Sequence, residues 1–230
     1  MPQARTPHVL TDLNPVKAGI LSEVLQAAIA VVVVDMQRDF CAPDGALALA
    51  GVDVAKNTAI VQPIARFVGQ LRAAGALIIW VHQQHNALLT SGAVVRRVRR
   101  ATQHLNLCVD GTPGAELTAG IGAENGDVHI HKYRYSAFMG SNLDMLLRSQ
   151  RIETVVVCGT AANACVDSTV RDAAQLDYNV VVCADLTGYS DARLGVVALE
   201  NLDRHFAIVC NAADVQTRVV HHERQRRPGH

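Results

Sequence analysis

The sequence predicts a three-layer α/β sandwich on a six-stranded, mainly parallel, doubly wound sheet. Three observations predict it. Six short runs of β formers alternate with stretches of helical spacing, the pattern of successive β–α units. The runs are nearly all apolar, as in Ala30–Val34 and Thr154–Cys158, which suits strands buried on both faces. Half of the 230 residues are hydrophobic while only 4% are aromatic, so Val, Ala and Leu must build the core. That composition fits a parallel sheet covered by helices rather than a β-sandwich.

Each element has its own reason. Ala30–Val34 is a continuous apolar run and reads as the first strand. Residues Val54–Ala74 have helical spacing, with Ile60, Ile64, Phe67, Val68 and Leu71 on one face and Gly75 as the stop. Leu77–His82 is a second strand. From Gln83 to Asn125 the pattern lapses into an irregular excursion with one or two short helices. Val128–Lys132 is a third strand, and Ser141–Arg148 a short helix capped by Ser141 or Asn142. Thr154–Cys158 is the fourth strand, followed by a helix over Asn163–Asp177. Asn179–Ala184 and Phe206–Cys210 are strands five and six, separated by a helix over Asp191–His205. A helix over Ala212–Val220 closes the fold. The length fits one domain spanning 1–230. Residues 1–25 form an N-terminal extension, and the polar, basic His221–His230 is a flexible tail or an oligomer arm.

Charge excludes some partners. Lys plus Arg and Asp plus Glu both number 21, so no net field attracts nucleic acid or an anionic membrane. The short basic run Arg96-Arg97-Val98-Arg99-Arg100 reads as a solvated or lid segment. The longest apolar run, Ala27–Val34, is far too short to span a bilayer. The first 20 residues are polar and carry Pro2, Pro7 and Pro15, unlike a signal peptide. None of Cys41, Cys108, Cys158, Cys165, Cys183 and Cys210 forms a Cys-x-x-Cys pair. Free thiols and a cytoplasmic location are expected.

Ligands of doubly wound sheets bind beyond the carboxyl ends of the strands. Three reactive side chains fall there: Asp35 after strand one, Lys132 at the end of strand three, and Cys165 just after strand four. Cys165 lies in a small-residue turn opening a helix, where unpaired N–H groups favour a thiolate and lower its pKa. The three side chains have natural roles in amide hydrolysis. Cys165 attacks the carbonyl, Asp35 takes and returns the proton, Lys132 holds the charges, and N–H groups of the Thr160–Cys165 turn form an oxyanion hole. Each also has a bland reading: Asp35 as a strand-end cap or ion pair, Lys132 as a surface lysine, Cys165 as a buried structural thiol.

Three segments resemble, in order, the signatures of the isochorismatase-like cysteine hydrolases. They are Val33-Val34-Asp35-Met36-Gln37-Arg38-Asp39-Phe40, Lys132-Tyr133-Arg134-Tyr135-Ser136-Ala137-Phe138, and Gly159-Thr160-Ala161-Ala162-Asn163-Ala164-Cys165-Val166-Asp167-Ser168-Thr169 with Arg171-Asp172-Ala173. The resemblance implies a Rossmann-like sandwich, a catalytic set of Asp35, Lys132 and Cys165, and a cis peptide at Thr160–Ala161. That peptide would turn the N–H of Ala161 toward the substrate oxygen beside that of Cys165. It also implies a small-molecule substrate and a homo-oligomer, dimer or tetramer.

Isochorismatases proper typically lack the cysteine and use the aspartate alone on a vinyl ether. The thiol here favours C–N hydrolysis through a thioester, as in the ureidoacrylate, biuret and N-carbamoyl amidohydrolases. Ether hydrolysis by Asp35, or a non-catalytic binding or scaffold role, are the alternatives. Nicotinamidases carry a metal on one Asp and several His after strand two. This chain offers His82 and His85 there but Gln in place of the Asp, so neither metal nor cofactor is expected, and both histidines are placed at the cleft rim. Phe40, Tyr135 and Phe138 are candidate pocket walls. Arg134 is a candidate for a substrate carboxylate or an acidic neighbour, and Asn163 for the helix cap. Cys158, Cys183 and Cys210 are assigned to the core; Cys41, His104, His129 and His131 receive no role.

Overall fold

The computed structural model describes residues 11–96 and 107–226. Its six strands are β1 (Ile29–Val34), β2 (Leu77–Gln83), β3 (Val128–Lys132), β4 (Thr154–Gly159), β5 (Asn179–Thr187) and β6 (Ile208–Cys210). They form one sheet in the order β3-β2-β1-β4-β5-β6, and every pairing is parallel. The order reverses between β1 and β4, the switch point where such sheets open a crevice.

Alternation along the buried strands divides the core in two. On one face Val31, Val33, Trp80, Val156 and Val181 meet α1 (Pro15–Val24), α5 (Val61–Ala73) and α10 (Ala212–Arg226) through Leu21, Phe67, Leu71 and Val215. On the other, Val32, Val34, Val81, Val155 and Val157 meet α7 (Leu143–Ser149), α8 (Asp167–Gln175) and α9 (Ala192–His205) through Leu143, Leu147, Val170 and Leu202. Short helices α2 (Arg38–Cys41), α3 (Ala46–Leu49) and α4 (Ala55–Ala59) lie over the carboxyl edge, and residues 92–96 form α6.

The differences from expectation have local causes. The helix expected over Val54–Ala74 breaks at Ile60 into α4 and α5, because Pro63 has no N–H and its ring would clash with the carbonyl of Ala59. Pro63 instead sits in the first turn of α5, where no N–H is needed. All five residues expected on that core face are buried, and Gly75 (φ 85°) stops the helix. The N-terminal extension holds α1, capped by Asn14 and packed through the fully buried Leu21. Of the tail, residues 221–226 continue α10 and 227–230 lie outside the described residues. So do 97–106, which include most of the basic run and His104. The excursion is pinned by bridges His85↔Val109 and Gln37↔Leu117, with a 3₁₀ turn at Pro113–Ala115.

Gly159 ends β4 where no side chain fits. It has φ 111°, and a Cβ there would lie 2.1 Å from the Val34 carbonyl oxygen. Gly159→Ala is expected to force β1 and β4 apart and to lower stability by at least ~2 kcal/mol, read from the urea midpoint.

Candidate active site

The carboxyl ends of β1, β3 and β4 bring the three candidate residues together. Asp35 follows β1 with φ 53°, a left-handed conformation that a short polar residue tolerates. Its N–H donates to Val81 O at 2.9 Å. Lys132 ends β3 in register with Gln83 of β2. Cys165 sits in a π-type turn, Ala162–Val166, between β4 and α8. Asp35 and Lys132 are fully buried and Cys165 is 7% exposed.

Lys132 Nζ is the hub. It donates to Gln83 Oε1 (2.7 Å), Arg134 O (3.1 Å) and Cys165 Sγ (3.3 Å), and pairs with Asp35 Oδ2 at 2.8 Å. These four partners share three hydrogens, and charge holds the carboxylate. Both Asp35 oxygens are buried, and the groups that face them are the Lys132 ammonium and the Cys165 thiol.

Burial raises the pKa of Asp35, against the pull of the Lys132 ammonium, which makes the carboxylate a stronger base than one in water. Burial also works against the ammonium, but the negative charges facing it, Asp35 first, outweigh that and raise its pKa. Burial and then the Asp35 charge raise the pKa of the Cys165 thiol, with Lys132 opposing. The thiol is therefore protonated at rest, contrary to the expected thiolate. The cause is a 7%-exposed sulfur beside a carboxylate, an arrangement the sequence turn does not reveal.

A cavity of about 180 Å³ opens over these groups. Phe40, Leu47, Val94 and Leu107 give it an apolar wall; Asn57, Gln83, His85, Tyr133, Arg134 and Tyr135 supply polar edges. Phe40, Arg134 and Tyr135 thus lie where the sequence placed them. Phe138 does not: half-buried, it stacks on Tyr178 (6.0 Å between centroids) against the core. Among the described residues Arg134 pairs with no acid, and it donates to the carbonyls of Leu89 (3.1 Å) and Tyr133 (2.7 Å). Asn163 is not a cap but lies inside the turn at φ −97°, ψ 15°. Thr160–Ala161 is cis, and Ala161 and Cys165 both line the cavity. The neighbouring N–H of Ala162 is committed to Gly188 O at 2.8 Å.

Sequence reasoning missed Gln37, Gln83 and Asn57. Asn57 donates to Phe40 O (2.9 Å) and accepts from Thr160 Oγ1 (3.0 Å), tying α4 to the β4 turn. A polar residue on an apolar helix face was the available signal.

The two histidines separate. His85 lines the cavity, kept neutral by burial and by the cations Lys132 and Arg134. His82 points to the opposite face of β2, between His129 (Nε2···Nδ1 2.9 Å) and His131, so it is not at the cleft rim. Among the described residues no three His, Cys, Asp or Glu are grouped to hold a metal. Burial, then His131 and His129, lowers the His82 pKa from 6.5 to about 4. Its neutral form contributes stability that is complete above the unfolded value and is lost as pH falls toward the folded one. The urea midpoint is expected to drop with acidification, by about 2 kcal/mol of stability at pH ~5, and His82→Gln to flatten that dependence.

The chain matches the family model described as "Isochorismatase domain" over residues 29–214. It is 32% identical over 214 residues to the ureidoacrylate amidohydrolase RutB of Methylorubrum extorquens (strain DSM 6343 / CIP 106787 / DM4), covering 87% of this chain and 86% of that protein. A cysteine hydrolase from Pseudomonas syringae pv. phaseolicola 1448A superposes with TM-score 0.75 at 27% identity, over 96% of this chain and 99% of the other. N-carbamoylsarcosine amidase from Thermoplasma acidophilum gives TM-score 0.65 at 27% identity, over 80% and 96%. With the doubly wound sheet and the clustered side chains at its carboxyl edge, these matches place the chain in the isochorismatase-domain family.

Proposed function

We propose that the protein is a cysteine-dependent amidohydrolase that cleaves a C–N bond of a small amide, ureido or carbamoyl compound through a thioester on Cys165. One observation carries the reading: a buried thiol and a buried carboxylate meet on one ammonium, at 3.3 and 2.8 Å, beneath a cavity. The ureido and carbamoyl substrates named for relatives support the substrate class.

In this reading the Cys165 proton passes to Asp35 as sulfur attacks the carbonyl carbon. Simultaneous transfer avoids a free thiolate, which burial disfavours. The N–H groups of Ala161 and Cys165 receive the oxyanion. Asp35 then protonates the leaving nitrogen and the C–N bond breaks. A water enters, gives its proton to Asp35 and attacks the thioester; the acid is released and sulfur regains the proton. Lys132 remains an ammonium throughout and balances whichever anion is present.

The test is release of ammonia or amine from a panel of amide, ureido and carbamoyl compounds, with an enol ether as comparison. Turnover of the nitrogen compounds that disappears in Cys165→Ala supports the proposal; undiminished turnover in that variant rejects it. Exposed Val16, Ile20 and Val197 support a homo-oligomer, a dimer or tetramer, and six free thiols support a cytoplasmic setting.

A further inference from the structure

Lys132 can serve both Asp35 and Cys165 only if its ammonium stays between them, yet a lysine has four rotatable bonds. What fixes it is Gln83. The Gln83 Oε1 accepts from Nζ at 2.7 Å, the shortest of the ammonium's contacts. Its amide orientation is determined by chemistry, since only the oxygen can face an ammonium and Nε2 donates to Gln84 O at 3.1 Å.

Gln83 is itself held from both sides of its backbone. The fully buried Gln37 accepts from the Gln83 N–H at 2.8 Å and donates to the Gln83 carbonyl at 2.9 Å. The same Gln37 Nε2 donates to Ala115 O at 2.7 Å. This bidentate grip extends β2 by one pairing and locks the residue that follows His82. The charged and titratable groups around the Gln83 amide are Lys132, His85 (Nε2 at 3.4 Å), Asp35, Cys165 and Arg134. A neutral acceptor suits this setting. A carboxylate there would compete with Asp35 for the cation and leave the buried site with an excess negative charge.

We propose that Gln83, clamped by Gln37, is the positioning residue that aims the Lys132 ammonium at Cys165 and Asp35. The assignment rests on the reading of Cys165 as nucleophile. A thiol that loses an aimed cation becomes harder to ionise, so the proposal has a readout that needs no substrate.

The experiment follows the pH dependence of Cys165 alkylation by iodoacetamide in the folded protein, mapped by peptide mass spectrometry. The variants are Gln83→Met, which lacks the acceptor, and Gln83→Asn, which is one methylene too short. Both are expected to shift the alkylation midpoint upward by about one pH unit, a roughly tenfold slower reaction at neutral pH, and to lower kcat in parallel. A purely structural role would lower the melting temperature and leave that midpoint in place. Folded variants with the midpoint of the unaltered chain overturn the Gln83 assignment alone. Undiminished turnover in Cys165→Ala overturns the nucleophile reading, and the assignment with it.

Discussion

Replacing Cys165 with alanine is expected to lower kcat for C–N hydrolysis by at least ~10⁴-fold with little change in fold. The whole covalent route passes through this sulfur, so the other groups have nothing to act on. Asp35 could still take a proton from a water, but no ammonium-paired nucleophile would stand where Sγ stands, 3.3 Å from Lys132. The structural cost is small because the side chain packs at the cavity floor and is truncated by one atom; about 1 kcal/mol is expected from the urea midpoint. Serine should restore little, since a hydroxyl is far harder to deprotonate than a thiol in a site that already resists ionisation of sulfur.

Lys132→Met carries the second large effect, on stability as well as rate. It leaves the Asp35 carboxylate fully buried without its cation. Removing one member of a buried pair costs about 3–5 kcal/mol. In the variant the Asp35 pKa rises further, so the neutral acid is the tolerated form. The deficit is therefore largest above the pKa of the folded variant and shrinks as pH falls below it toward the ordinary carboxylate value of about 4. Activity should fall at least ~10³-fold, because both the thiol ionisation and the base depend on the cation. The double variant Asp35→Asn/Lys132→Met removes both charges. It is expected to recover much of the stability and none of the activity, which separates the two roles of the pair. Chemical denaturation across pH, with turnover on the same samples, checks all three variants.

The fold was legible because its signals are local and redundant. Valine runs such as Val31–Val34 have no alternative to a doubly buried strand, and the spacing of Ile60, Ile64, Phe67 and Leu71 predicts the buried helix face. The break at Ile60 has its signal in Pro63. Asp35 was legible as a polar residue ending an apolar strand, and Lys132 as the cation at the end of the alternating strand Val128–Lys132. The protonation state of Cys165 was not, because it depends on burial from several elements at once, and a turn sequence reports only its own N–H groups. The Gln37–Gln83–Lys132 chain was equally hidden. It joins residues 46 and 49 positions apart through amide geometry, for which sequence has no period. Phe138 and His82 show the limit of adjacency: each neighbours a site residue along the chain, yet strand and loop geometry turns each to another surface.

The central claim is that the sulfur of Cys165 becomes covalently bonded to the substrate carbonyl. Acid quenching during turnover, followed by intact-mass measurement and peptide mapping, tests it directly. The account predicts a mass increase equal to the acyl or carbamoyl fragment, located on Cys165 and absent from Cys165→Ala. Product formation at the native rate in Cys165→Ala, with the unaltered protein never carrying an adduct, would contradict it.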